Sequence, residues 1–131
     1  MSKPTPSVDA WLTEAKELEA AGDIGMYLLH NGVVRQTPRA LVREGNARAA
    51  SVTGMTFSYD EEKVLDAIDA AYALPGIGHI RLWLNEGELA VGDDIMYVLI
   101  GGDIRPHVID ALSFLVGKIK TECVQETEHH A

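Results

Sequence analysis

The chain has 131 residues, 47% of them hydrophobic, a formal net charge of −9 and one cysteine. This composition excludes a disordered chain and suffices for one ordinary hydrophobic core, while the negative charge argues against duplex nucleic acid as a partner. No apolar run approaches the ~18–20 residues that span a membrane, and the first residues lack the apolar core of a signal peptide. With Cys123 alone and suited to a reducing compartment, a cytoplasmic protein with no membrane association is expected.

Taken in order, residues 1–6 read as a disordered polar tail ahead of a single domain over residues 7–131. Ser7 is a good N-cap, and Val8, Trp11, Leu12, Ala15 and Leu18 recur at helical spacing until Gly22. Residues 23–36 read as β-rich, and Gly32 inside that run predicts a bulge or a close backbone approach. His30 reads as a partly buried strand residue, because no second metal ligand lies at a useful spacing. Residues 37–51 carry little apolar periodicity and read as a loop, of a length that is often functional.

A further strand is expected over residues 52–59. Ser58 and Glu61 have the spacing of a capping box, and Val64, Leu65, Ile68, Ala71 and Tyr72 form the stripe of a second helix. Residues 79–84 and 95–100 are apolar runs separated by a turn-rich stretch. After them, residues 104–120 have helical spacing, with Asp103 as N-cap, Pro106 in the first turn, and Val108, Ala111, Leu112, Leu115 and Ile119 on one face. A short edge strand over residues 121–128 and a frayed end complete the chain. Strands do not alternate strictly with helices, so the fold class is α+β, an antiparallel-rich sheet with helices on one side, and not a doubly wound fold.

Standard catalytic and nucleotide-binding motifs are absent, and no metal or cofactor site is expected. What remains is cationic. Arg35, Arg39, Arg43 and Arg48 fall within residues 35–48, which hold a single acid, Glu44. A basic island on an acidic chain suits a small anionic ligand, or a solvated loop whose arginines pair with acids elsewhere. Arg105 opens a helix and Lys120 closes it. The arginine fork and the free amides of a first turn both favour phosphate, and a lysine in a partly enclosed site can serve acid–base chemistry.

The order of these pieces resembles the large, catalytic subunit of molybdopterin synthase over roughly residues 23–128. The family's Phe-x-Gly-x-Val-Arg strand end is matched by His30, Asn31, Gly32, Val33, Val34 and Arg35. Its Gly-x-Leu-x-x-Gly-Asp/Glu turn is matched by Gly87, Glu88, Leu89, Ala90, Val91, Gly92 and Asp93. A looser match joins Tyr59, Glu62 and Lys63 to the family's next strand and helix. A helix opening with His-Arg and closing with Leu-Lys corresponds to Ile104-Arg105 and Ile119-Lys120, at equal spacing.

The resemblance implies an α/β hammerhead-like fold, a homodimer, and a ubiquitin-like small subunit whose C-terminal Gly-Gly thiocarboxylate donates sulfur. The implied ligand is a phosphate-bearing pterin, cyclic pyranopterin monophosphate, and the implied product is the dithiolene molybdopterin. Carried over by position, Arg35 and Arg105 are substrate ligands, with Arg39 a weaker one, and Lys120 is the catalytic candidate. The chain also departs from the pattern. Leu84 and Asn85 replace a His-Arg pair, Ile104 replaces the helix-opening histidine, and Thr127 replaces a second lysine. These departures sustain an alternative, a non-catalytic relative that keeps fold and dimer as a binding or regulatory module.

Overall fold

The computed structural model describes residues 3–38, 45 and 50–131. Helix α1 (Val8–Glu17) and a 3-10 turn (Glu19–Asp23) lead into β1 (Met26–Val33). There follow β2 (Val52–Tyr59), α2 (Glu61–Tyr72), β3 (Ile77–Leu84), β4 (Gly87–Ala90), β5 (Asp94–Gly102), α3 (Arg105–Lys118), a wide π-type turn (Ile119–Cys123) and β6 (Val124–His130). Among the described residues the strands form two three-stranded sheets, ordered β1-β5-β3 and β4-β2-β6, with every pairing antiparallel. The architecture is α+β, as the element order implies.

Strand β5 is the centre of the first sheet. Its side chains alternate between two apolar layers, so both faces are buried and the strand reads as an unbroken apolar run. Met96, Val98 and Ile100 join the main core with Val108, Ala111, Leu115 and Ile119 of the α3 end, Val64, Ala67 and Ala71 of α2, and Met55 and Phe57 of β2. Leu99 faces the other way, onto Trp11 and Ala15 of α1, with Tyr27, Leu29, Trp83 and Tyr97 around them. Helices therefore cover both faces of the first sheet, which corrects the one-sided arrangement read from the element order. That order could not say which face α1 takes.

Ser7 caps α1, its Oγ accepting from the Ala10 amide at 3.2 Å. The cap of α2 is Asp60, whose carboxylate accepts from the Lys63 amide at 3.2 Å. Ser58 instead belongs to β2, so the N-cap lies two residues beyond the expected one, and with Lys63 at the third helical position it is a simple cap and not the expected capping box. The stripe of α2 shifts with it. Val64, Ala67 and Ala71 are buried while Leu65 and Tyr72 are 55% and 42% exposed, because two alanines let the helix sit close to its neighbours. On α3, Val108, Ala111 and Leu115 are fully buried and Leu112 is partly so. Asp103 does not cap α3 in the expected way; its carboxylate accepts from the Ile104 amide at 2.6 Å and lies 2.7 Å from His107 Nδ1.

The turn-rich stretch between β3 and β5 contributes β4, paired to β2. Gly54 permits that pairing, since a Cβ there would stand 2.7 Å from the Leu89 carbonyl oxygen. The expected frayed end is also strand, because β6 pairs with β2 out to His130 and the Ala131 amide donates to the Ser51 carbonyl at 3.1 Å. At the other terminus, the Lys3 amide donates to Asn85 Oδ1 at 2.9 Å and its Nζ to the Tyr59 hydroxyl at 2.8 Å. Among the described residues no helix is long and apolar enough to cross a membrane.

Burial distinguishes two leucines that sequence spacing treats alike. Leu115→Ala, in the closed core, lowers unfolding stability by about 2–5 kcal/mol. Leu65→Ala, on the exposed side of α2, changes it by under about 1 kcal/mol. Urea denaturation of both variants checks the difference, and equal losses would contradict the stripe described here.

Candidate functional site

Strand β1 sends Met26 and Leu28 into the main core, and period-two alternation puts His30, Gly32 and Val34 on the same face. At Gly32 the ladder slips. Gly32 pairs with Met96 and Val33 with Asp94, leaving Ile95 as an extra residue on β5. This is the irregularity that an in-strand glycine leads one to expect. Beyond it Val34 is again buried, and its backbone is held by two bonds, its amide to the Asp93 carbonyl at 2.9 Å and its carbonyl from the Gly92 amide at 2.8 Å. With Val34 locked inward, Arg35 emerges outward at the strand end, where its Nε donates to the Thr37 carbonyl at 2.9 Å.

Lys120 arrives from the far end of the chain. Ile119 and Cys123 are both buried, so the turn between them is pinned at each end, and the Thr121 hydroxyl closes it onto the Gly117 carbonyl at 2.9 Å. A widened turn of this kind re-aims the side chains it carries, and Lys120 is exposed beside β1. Together His30, Gly32, Val33, Arg35 and Lys120 line a pocket of about 220 Å³. Met55, Ile95 and Met96 form its apolar floor and Glu126 and Glu128 of β6 its acidic side.

Two of the residues singled out in the sequence thus share a pocket, and one does not. Arg35 and Lys120 both line it, while Arg105 stands exposed at the opening of α3. Fifteen residues of helical rise separate Arg105 from Lys120, about 22 Å, so within one chain the three cations do not converge. Arg39, with Arg43 and Arg48, lies outside the described residues. The pocket also holds His30, Glu126 and Glu128, which sequence reasoning passed over. The available signal was a titratable residue at an inward position of a strand next to a glycine.

Electrostatics sharpen the role of His30. Burial, and then the neighbouring Lys120 ammonium, both hold its pKa below the ordinary imidazole value, leaving it neutral at pH 7 and able to accept a proton. His79 is lowered too, by burial and then by Arg81. Cys123 is pushed up, chiefly by burial, so it is a core residue and not a thiolate nucleophile.

Of the positions where the chain departs from the family pattern, Leu84 and Asn85 are buried and Ile104 and Thr127 are exposed. Leu84 is in the core. Asn85 is 1% exposed, its Nδ2 donating to the Asp94 carbonyl at 2.8 Å and its Oδ1 accepting from the Lys3 and Glu86 amides at 2.9 Å each. Ile104 is exposed at the start of α3, and Thr127 pairs with Thr56 across β6 and β2. Among the described residues no group of three or more His, Cys, Asp or Glu could hold a metal ion.

The two lowered histidines give stability a defined pH dependence. A folded pKa below the unfolded value of about 6.5 means the unfolded chain binds more protons as pH falls through that window. Stability is therefore fully present above about pH 6.5 and declines as pH drops toward the folded values. Replacing His30 by Gln shallows the decline between pH 7 and pH 5. Urea midpoints across that range check it, and an unchanged slope would contradict the neutral, partly buried imidazole.

The family model of the MoaE protein matches residues 6–122 of the chain. No curated protein matches at the sequence level. Among solved structures, a molybdopterin synthase from Staphylococcus aureus is 14% identical with a TM-score of 0.71, over 96% of this chain and 86% of that one. A molybdopterin biosynthesis MoaE protein from Burkholderia ambifaria MC40-6 is 17% identical with a TM-score of 0.72, over 98% and 83%. A complex of subunits 1 and 2 of molybdopterin-converting factor from Helicobacter pylori 26695 matches at 14% identity and a TM-score of 0.58, over 94% and 78%. The fold is shared despite the low identity, and the family match spans most of the sequence: the chain belongs to the MoaE protein family, that of molybdopterin synthase large subunits, as a divergent member.

Proposed function

We propose that this protein is a sulfur-transferring large subunit acting on cyclic pyranopterin monophosphate in molybdenum cofactor biosynthesis. The observation that carries the reading is the meeting of Arg35 and Lys120 in one pocket, although they lie far apart in the sequence. Arg35 holds the phosphate through its planar fork, and Lys120 stands beside the reacting carbon as the cation that assists sulfur transfer. Sulfur is delivered by the C-terminal Gly-Gly thiocarboxylate of a ubiquitin-like small subunit. The two-subunit complex from Helicobacter pylori supports a partner of this kind.

The working form is a homodimer. Arg105 lies a helix length from Lys120, so it reaches a phosphate held at Arg35 only when supplied by a second copy of the chain. A light-scattering mass of twice the chain mass at micromolar concentration is expected, and a monomer mass would overturn the dimer and the role of Arg105 together.

A second reading, a non-catalytic binding or regulatory relative, is favoured by Asn85, whose amide is committed to backbone partners, and by Ile104 and Thr127 at the other altered positions. Calorimetric titration with cyclic pyranopterin monophosphate, paired with a single-turnover assay using a thiocarboxylated small subunit, separates the two. A charged hydrogen-bond pair of about 1.5–3 kcal/mol predicts that Arg35→Ala weakens binding roughly 10- to 100-fold. Lys120→Ala keeps much of the binding and loses turnover. Binding without turnover in the unmodified protein selects the second reading, and no binding at all overturns both.

A further inference from the structure

An imidazole at position 30 is unusual on physical grounds. Its face of β1 carries Met26 and Leu28 into the core, and alternation assigns this position an apolar side chain. Instead the chain puts a titratable ring there, at the point where the core opens into the pocket. Gly32 lies beside the ring and lets Met96 approach: a Cβ there would stand 3.1 Å from Met96 Cγ and, at an ordinary contact distance, 3.8 Å from His30 Nε2. The floor contributed by β2 and β5 is apolar, with Met55 and Met96. The charged groups that share the pocket with the ring are Arg35 beyond β1, Lys120 from the turn, and Glu126 and Glu128 from β6.

We propose that His30 is the proton-accepting group of this pocket, acting on the water that releases the sulfur donor. The proposal rests on the sulfur-transfer reading above. Once a thiocarboxylate sulfur has bonded to a pterin carbon, donor and acceptor are joined as a thioester, and release requires water. The water oxygen bonds to the acyl carbon and the acyl carbon–sulfur bond breaks. Sulfur keeps the electron pair as a thiolate on the pterin, and the donor leaves as a carboxylate. One water proton passes to neutral His30 and from there to solvent, and the second is lost from the new carboxyl group. Lowering of the imidazole pKa by burial and by Lys120 keeps the accepting form available at neutral pH.

The test uses the full chain with His30→Phe, which keeps a ring of similar size, and His30→Gln, which keeps polarity. Each is assayed in single turnover with the thiocarboxylated small subunit and the cyclic pterin phosphate between pH 5 and 8, with calorimetric binding alongside. Expected are a rate loss of about 100-fold or more, binding within about threefold of the unmodified protein, and a donor–pterin thioester that accumulates in the intact mass spectrum. The acid limb of the unmodified protein, centred below about pH 6.5, disappears in both variants. Unmodified rate and acid limb in the variants overturn the role of His30 and leave the sulfur-transfer reading standing. Loss of pterin binding in both variants makes His30 a structural support and also overturns the proposal. Pterin binding without turnover in the unmodified protein overturns the sulfur-transfer reading and this step with it.

Discussion

The seating of Ile119 is the constraint on which the pocket depends. Its side chain is fully buried in the core shared by both sheets, and it opens the turn that carries the chain from α3 to β6. Burying a branched aliphatic side chain of this size stabilises the fold by about 1.5–3 kcal/mol, enough to fix where the helix stops. Cys123, four residues on, is buried as well, so the turn between them has little freedom. Lys120 is presented by that turn. Glu126 and Glu128 follow on the strand it launches, so one packing decision sets three pocket residues.

The opposite wall is set by the end of β1. Val34 is drawn inward and bound to the turn at Gly92 and Asp93, and the slip at Gly32 lets the strand end beside the lysine. On a chain of net charge −9 the long-range field repels anions, so a phosphate site needs cations close at hand. In the proposed phosphate site Arg35 and Lys120 are those cations, both exposed and set beside the apolar residues Met55, Ile95 and Met96. The same surroundings keep His30 neutral.

Legibility in the sequence tracked how local each determinant is. β2 and the long apolar run of β5 were readable because burial on both faces or a clean strand pattern leaves a mark in a few residues. The face of α2 was misjudged because Ala67 and Ala71 pack closely without contributing hydrophobic bulk, while Leu65 and Tyr72 look like core and are exposed. β4 was hidden in a turn-rich stretch, since its four residues gain their strand character from pairing with Gly54 across a long sequence separation. For the site, Arg35 and Lys120 were reached through family resemblance, not through spacing. His30 was visible as a residue but not as a pocket member, because only tertiary structure brings it to Lys120.

The central claim is that one pocket, walled by Arg35, Lys120 and His30, receives the phosphate-bearing pterin. The most direct test follows the imidazole signals of His30 by NMR across a pH titration, with and without cyclic pyranopterin monophosphate. Free, the ring titrates below the ordinary histidine value because of burial and Lys120. An anion bound beside it favours the charged form, so the account predicts that the midpoint rises on adding the ligand. A midpoint that stays in place at saturating ligand would contradict it.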